Sequence, residues 1–134
     1  MATLNTPIVL DISQFLSDFS SLTLKTDLFA GELKRNVNGV FAIAAPSESP
    51  DKETGIIYQS IEFWARNDNT ATAFTHLTEI YNFFDRRHHY STNKYFVHFS
   101  HCDSQIEDMD KDAEGAKLLK LSVRFILNAQ AALS

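Results

Sequence analysis

Five carboxylates, Glu107, Asp108, Asp110, Asp112 and Glu114, crowd one short stretch of the chain and are its first candidates for chemistry. Each repels the others unless a cation or a basic partner intervenes. Calcium is the ion such a run suggests. The calcium-loop template requires Gly at its sixth position and a bidentate Glu at its twelfth; counted from Asp108, these are Ala113 and Leu119. The template fails, leaving a solvated hairpin loop or a protein-docking loop, because charge runs are usually solvated. A small metal- or ligand-binding α+β domain using the 107–114 connection is retained as the alternative function.

Imidazole and thiol come next. His98, His101 and Cys102, with His88 and His89 close in sequence, are zinc-ligand types, but on a strand His98 and His101 face opposite sides and the chain has no paired Cys-x-x-Cys. Cys102 has no helix N-terminus or oxyanion arrangement placed beside it to make it a nucleophile. Phosphate-cradling glycine loops, a serine nucleophile elbow and HExxH are all missing from the sequence. The residues therefore nominate no catalytic, cofactor-binding or metal-binding set. Arg86-Arg87-His88-His89 either caps a helix C-terminus, the favoured reading, or contacts phosphate or a neighbouring subunit. Trp64 shares a strand face with Tyr58; exposed there, the pair would mark an interface, unless a loop or the N-terminal segment covers them.

The elements that position these groups follow from periodicity. Between Gly55 and Arg66, Ile57, Ile61, Phe63 and Ala65 alternate with Tyr58, Ser60, Glu62, Trp64 and Arg66, the two-residue period of a strand, with Gln59 alone interrupting the apolar face. Asn67-Asp68-Asn69-Thr70 then offers four candidate N-caps. The helix beyond carries Ala73, Phe74, Leu77, Ile80, Tyr81 and Phe84 on one face and is closed by Arg86 and Arg87.

Earlier in the chain, Thr6-Pro7 starts a helix whose stripe is Ile8, Ile12, Phe15, Leu16 and Phe19, ending near Ser20. Ser17, Ser20 and Ser21 weaken its propensity, so it depends on docking. Leu24 to Leu33 reads as a strand, 35–39 as a turn, and Val40 to Ala45 as its hairpin partner. Later, His88 to Asn93 reads as a polar connection. Tyr95, Val97, Phe99 and His101 form one face of a strand whose other face is Phe96, His98, Ser100 and Cys102, and Leu119 to Leu127 is the cleanest alternating strand. The fold expected is α+β, a mostly antiparallel sheet with two helices on one face, in the order α-β-β-β-α-β-β.

With 134 residues the chain is expected to form a single domain, 1–134, able to bury about two-thirds of its unfolded surface. Hydrophobic content of 44%, and eleven Phe, exclude disorder of the whole. A formal net charge of −5 argues against broad nucleic-acid binding while leaving room for a local basic patch. One cysteine means no internal disulfide. No secretory start and no membrane-spanning apolar run can be read, so a soluble cytoplasmic protein is expected. The stretches 46–54 and 103–116 are expected to be mobile loops, because their charges repel and they hold few apolar residues.

The segment Asp27 to Leu33, the strand Tyr58 to Arg66, the helix Ala71 to Phe84 and the strand Leu119 to Leu127, in that order and with a long hairpin-like 103–116 connection, resemble the tail-terminator and tail-to-head joining (tail completion) proteins of long-tailed bacteriophages. The resemblance spans Leu4 to Leu127; one departure is that the family's proline- and glycine-rich segment before the central strand is here the more charged 46–54. It implies a virion structural protein, not an enzyme, with no cofactor. Such a protein is assembled in the host cytoplasm and forms a ring, commonly a hexamer, at the upper end of the tail tube. There it terminates the tail and docks to the capsid connector. Its implied partners are its own copies, the tail tube protein and connector proteins. No membrane and no sequence-specific nucleic-acid binding are implied, although DNA passes through the ring. A ring needs two different complementary patches per subunit. Glu107, Asp108, Asp110, Asp112 and Glu114 are expected to face Arg86, Arg87, Lys117, Lys120 and Arg124 of a neighbour, with Trp64 a further interface candidate. In isolation the chain is expected to be mainly monomeric. A third class, a dimeric enzyme of ferredoxin-like architecture, would need a deep pocket for which no residues are nominated.

Overall fold

The computed structural model describes residues 8–31, 37–45 and 53–129. Along the chain these form α1 (Ile8–Phe19), β1 (Leu28–Ala30), β2 (Gly39–Ala44), β3 (Ile57–Asn67), α2 (Thr70–Phe84), β4 (Arg87–Ser91), β5 (Tyr95–Cys102), β6 (Glu107–Lys111) and β7 (Lys117–Ala129). The strands make one sheet ordered β1-β2-β3-β7-β5-β4, with β6 also pairing β7. Both helices lie on one face of it, so the expected α+β class and order hold, with β4 and β6 as additions. The Thr6-Pro7 cap, the 46–52 part of the first loop and residues 35–36 of the expected turn lie outside the described residues. No helix among the described residues is long and apolar enough to cross a membrane.

The two longest strands hold the centre. β3 and β7 pair antiparallel in unbroken register from Ile57↔Leu127 to Asn67↔Lys117. Ile61, Phe63 and Ala65 thus meet Val123, Leu121 and Leu119 on the helix side, where Leu77, Ile80 and Phe84 of α2 close over them. Phe84 stacks on Phe63 at 6.1 Å between centroids and meets Phe125 edge-on at 5.0 Å. Gln59, the polar interruption of this face, is buried, and its Nε2 donates to the carbonyls of Ala45 (2.7 Å) and Ser60 (2.8 Å). A buried amide donor is tolerated when its hydrogens are used in this way.

Of the four candidate caps, Asn69 starts α2; its Oδ1 accepts from the amides of Ala71 (2.9 Å) and Thr72 (3.3 Å). Two stripe residues overhang the core: Phe74 is 53% exposed and Phe19 67%. Serines in and just after the last turn of α1 form tethers. Ser17 Oγ accepts from Leu24 N (2.9 Å), and Ser21 binds Glu79 of α2 through both its amide (2.7 Å) and its hydroxyl (2.5 Å). Asp11, on the buried side of α1, accepts from the Thr92 hydroxyl and from Lys94 N at 3.3 Å, tying the helix to the β4–β5 turn.

Four expectations are corrected. First, β1 is only three residues long and runs parallel to β2 (Leu28↔Val40), so the two are not a hairpin. Gly39 makes the entry: at φ +151° it comes so close to Asp27 that a Cβ would stand 3.0 Å from that carbonyl oxygen. Second, the polar stretch after α2 is a strand, β4, paired with β5. Third, the acidic connection contains β6, paired with β7 through Glu107↔Lys120 and Asp108↔Leu119. Fourth, β5 changes parity. A register shift between Val97 and Phe99 against β7 inserts one extra residue, so Ser100 rather than Phe99 turns toward α2, while Phe99 pairs with Ile126. Such a bulge flips every side chain after it to the other face.

Candidate functional site

The basic helix end expected at residues 84–87 is formed in part: Arg87 Nη1 donates to the Phe83 carbonyl (3.5 Å), one of the acceptors that α2 leaves open. α2 stops at Phe84, Asp85 is the C-cap, and its N–H donates to the Tyr81 carbonyl. Arg86 stands in the left-handed region (φ 55°) with its side chain 87% exposed. Arg87 has become part of the packing: its guanidinium lies 4.5 Å from the Tyr90 ring centroid, 4.7 Å from Phe83 and 5.4 Å from Phe15. Stacking of this kind suits a planar, weakly hydrated guanidinium. Of the two arginines, only Arg86 is turned to solvent.

The bulge in β5 gives Ser100 a role. Tyr90 Oη donates to Ser100 Oγ (2.7 Å), and Ser100 Oγ donates to the Phe84 carbonyl (2.8 Å), one of the acceptors α2 leaves open at its end. Burial pushes the Tyr90 phenol up to about 12. Nearby, Cys102 N donates to Asp85 Oδ1 (3.0 Å). Burial, reinforced by the charges of Asp85 and Asp103, also pushes the Cys102 thiol up to about 12. A thiol so held is protonated at neutral pH, the opposite of an activated nucleophile. The depression beside it, lined by Tyr81, Asp85, Arg86, Phe99, His101 and Cys102, is shallow and open.

The acidic run does not form a cluster. An extended strand spaces it out, and the cations of the same chain meet it. Glu107 lies 3.7 Å from Lys120 Nζ, and Asp108 2.7 Å from Lys117 Nζ. Lys117, donating to Asp108, holds that carboxyl below the usual carboxylate range. Asp112 accepts from Arg66 Nε at 2.5 Å. Its other oxygen accepts from the amides of Glu114 (3.0 Å) and Ala116 (2.9 Å), closing the turn into β7. The Arg66 contact leads the causes that hold the Asp112 carboxyl low. Asp110, at φ 70°, sits where β6 slips register against β7 between Asp108 and Lys111, and its amide donates to Asp108 Oδ1 (2.8 Å). Among the described residues no three carboxylate, imidazole or thiol groups converge as metal ligands would.

Lys120, Arg124 and Trp64 do come together, on the face away from the helices. Register sets Trp64 opposite Lys120 and Ser60 opposite Arg124. Lys120 Nζ sits 5.6 Å from the Trp64 ring and Arg124 5.5 Å from the Tyr58 ring, so each aromatic supports a cation instead of standing bare. Tyr58 is 38% exposed and Trp64 half-buried. The structure thus groups the nominated residues into three sets: the β6 arm, the exposed Arg86, and this cation-bearing sheet face. Arg87 and Asp112 are committed to the chain's own packing.

Arg66 was missed by reading the sequence. Although its position falls on the outward side of β3, it is only 5% exposed, bonding Asn38 Oδ1 (2.9 Å) as well as Asp112. The one available signal was that a lone arginine in a β-strand stands across from a five-carboxylate run of unknown docking.

A family model described as Bacteriophage tail terminator protein matches residues 15–129, which takes in α2, the whole sheet and the β6 arm. No curated protein matches the chain. The match covers most of the chain, so the chain belongs to the bacteriophage tail terminator family.

Proposed function

We propose that this structural tail protein assembles with its own copies into a ring, a hexamer in the virion, at the upper end of the tail tube. There it halts tube growth and presents the surface that meets the capsid connector. It acts by shape and surface, with no reaction of its own. The observation that carries the reading is the family match across residues 15–129.

Two distinct surfaces are consistent with a ring, which requires a heterologous interface. One is the acidic β6 arm, with Glu107, Asp108, Asp110 and Glu114. The other is the exposed Arg86 that follows α2. A neighbour's cations would add counter-charge to an arm whose own pairs, such as Glu107 with Lys120 at 3.7 Å, are half open to water. Lysates of phage lacking this protein should accumulate unattached capsids and tails of irregular length, and adding the purified chain should restore joined particles. Normal joining in its absence would refute the reading.

A further inference from the structure

α2 separates two unlike features of the helix layer. On one flank α1 packs along it: Phe15 meets Phe83 at 5.7 Å between centroids, and Ser21 binds Glu79. Phe19, one turn beyond Phe15 at the end of α1, stands largely in water; at 67% exposed it is the barest large apolar side chain among the described residues. On the other flank, Phe74, Thr78 and Tyr81 of α2 face Gln105 and Ile106 across an open groove. The Thr78 hydroxyl is buried there without a hydrogen-bond partner. A largely apolar groove over an unsatisfied hydroxyl is a surface whose contacts the chain does not complete by itself.

We infer that Phe19 of one copy inserts into the groove between Phe74, Tyr81 and Ile106 of the next. The contact rests on the ring proposed above and names what seats one subunit on another. Within one molecule α2 stands between knob and groove, so the two meet only between copies. Two different patches joined in this way make the heterologous contact that a ring requires, and an aromatic anchor in a slot is the kind of contact that dominates interface energy. Charge favours the same seating. Lys25, six residues past the knob, is exposed and has no carboxylate partner among the described residues. The groove wall runs on from Ile106 into the acidic β6, where Asp108 and Asp110 are exposed. A neighbour anchored by Phe19 therefore carries its free cation toward the arm that lacks one.

Cross-linking reads the contact directly, because Cys102 is the chain's only cysteine and Cys102→Ser clears the background. In that background Phe19→Cys and Gln105→Cys are made as separate proteins, mixed on growing tail tubes and oxidised. The mixture should give a covalent dimer on a non-reducing gel, while each protein alone stays monomeric. Dimers from Phe19→Cys alone would overturn the inference, since the knob would then meet its own copy. Phe19→Ser removes a ring that is already in water, so it should melt as the parent does and cap tails about tenfold less efficiently; full capping would also overturn the inference. The same mixture is oxidised at high concentration without tubes, and capping is scored by microscopy, so that the two readings fail separately. Capping without the mixed dimer removes this contact and leaves the ring. The mixed dimer without capping sustains the contact and removes the ring's place on the tail, and the absence of both removes both.

Discussion

Arg66 and Asp112, 46 residues apart, meet at 2.5 Å and pin the tip of the β6–β7 arm to the far end of β3. Arg66 is buried, and only a carboxylate at this place, with Asn38, satisfies its donors. The Asp112 carboxyl is held below its ordinary value of 3.8, with the Arg66 contact as the leading cause. A lowered carboxylate contributes stability above its unfolded value, and that contribution is lost as pH falls through the folded one. Melting temperature should therefore drop on acidification below about pH 4, and Asp112→Asn should lose part of that dependence. In Asp112→Asn, amide exchange across 107–116 should also speed up relative to the parent. Unchanged exchange would show that the arm is held by its strand pairing alone.

Leu77→Ala and Phe125→Ala each remove a fully buried side chain where α2 meets β7. Denaturant titration should show losses of about 2–5 kcal/mol for the first and about 3–5 for the second. Values under ~1 kcal/mol would mean that this contact is not the core.

Ser100→Ala breaks the relay from Tyr90 through Ser100 to the Phe84 carbonyl and leaves a buried phenol without its acceptor. A loss of about 1–3 kcal/mol is expected. Tyr90→Phe combined with Ser100→Ala should be less than additive, since the first change removes the group that the second strands. Strict additivity would break the relay argument.

Alkaline pH should destabilise the fold. The Tyr90 phenol moves from 10.0 to about 12 on folding, and the Cys102 thiol from 9.0 to about 12. A group whose folded value is raised favours the folded state fully below its unfolded value and loses that contribution as pH rises toward the folded one. Melting temperature should hold to about pH 9 and then decline. Cys102→Ser and Tyr90→Phe should each flatten the decline; a curve identical in all three proteins would be the contrary result.

Much of this was legible in the residues, for reasons that also explain what was not. The β3 and β7 alternations could be read because both strands are central and bury only one face, so sequence parity and burial coincide. The start of α2 was legible to within four residues because its polar caps have few other uses. Parity in β5 failed after His98, since a bulge has no reliable side-chain signature and inverts everything beyond it. The β1–β2 pairing failed because a turn signal marks where a chain bends and not how often it reverses before it pairs. At the site, the nominated charges were the relevant ones, but their allocation was hidden: only tertiary contact separates Asp112 and Arg87, used internally, from Asp110 and Arg86, turned outward.

The proposed interface predicts that outward charges can be altered without harm to the fold. Asp110→Asn alone, or Arg86→Glu alone, should leave the melting temperature within about 2 °C while reducing assembly onto tails. Charge-swapped combinations should recover part of the activity if the two sets touch across subunits. A variant that folds normally and assembles at full efficiency would remove its residues from the interface.

The central claim, that this chain caps the tail tube as a ring, is tested most directly by electron microscopy of growing tail tubes mixed with the purified protein. The account predicts a single ring at one end of each tube, and tube lengths that stop increasing once it is bound. Tubes that lengthen past the bound protein, or protein spread along their sides, would contradict it.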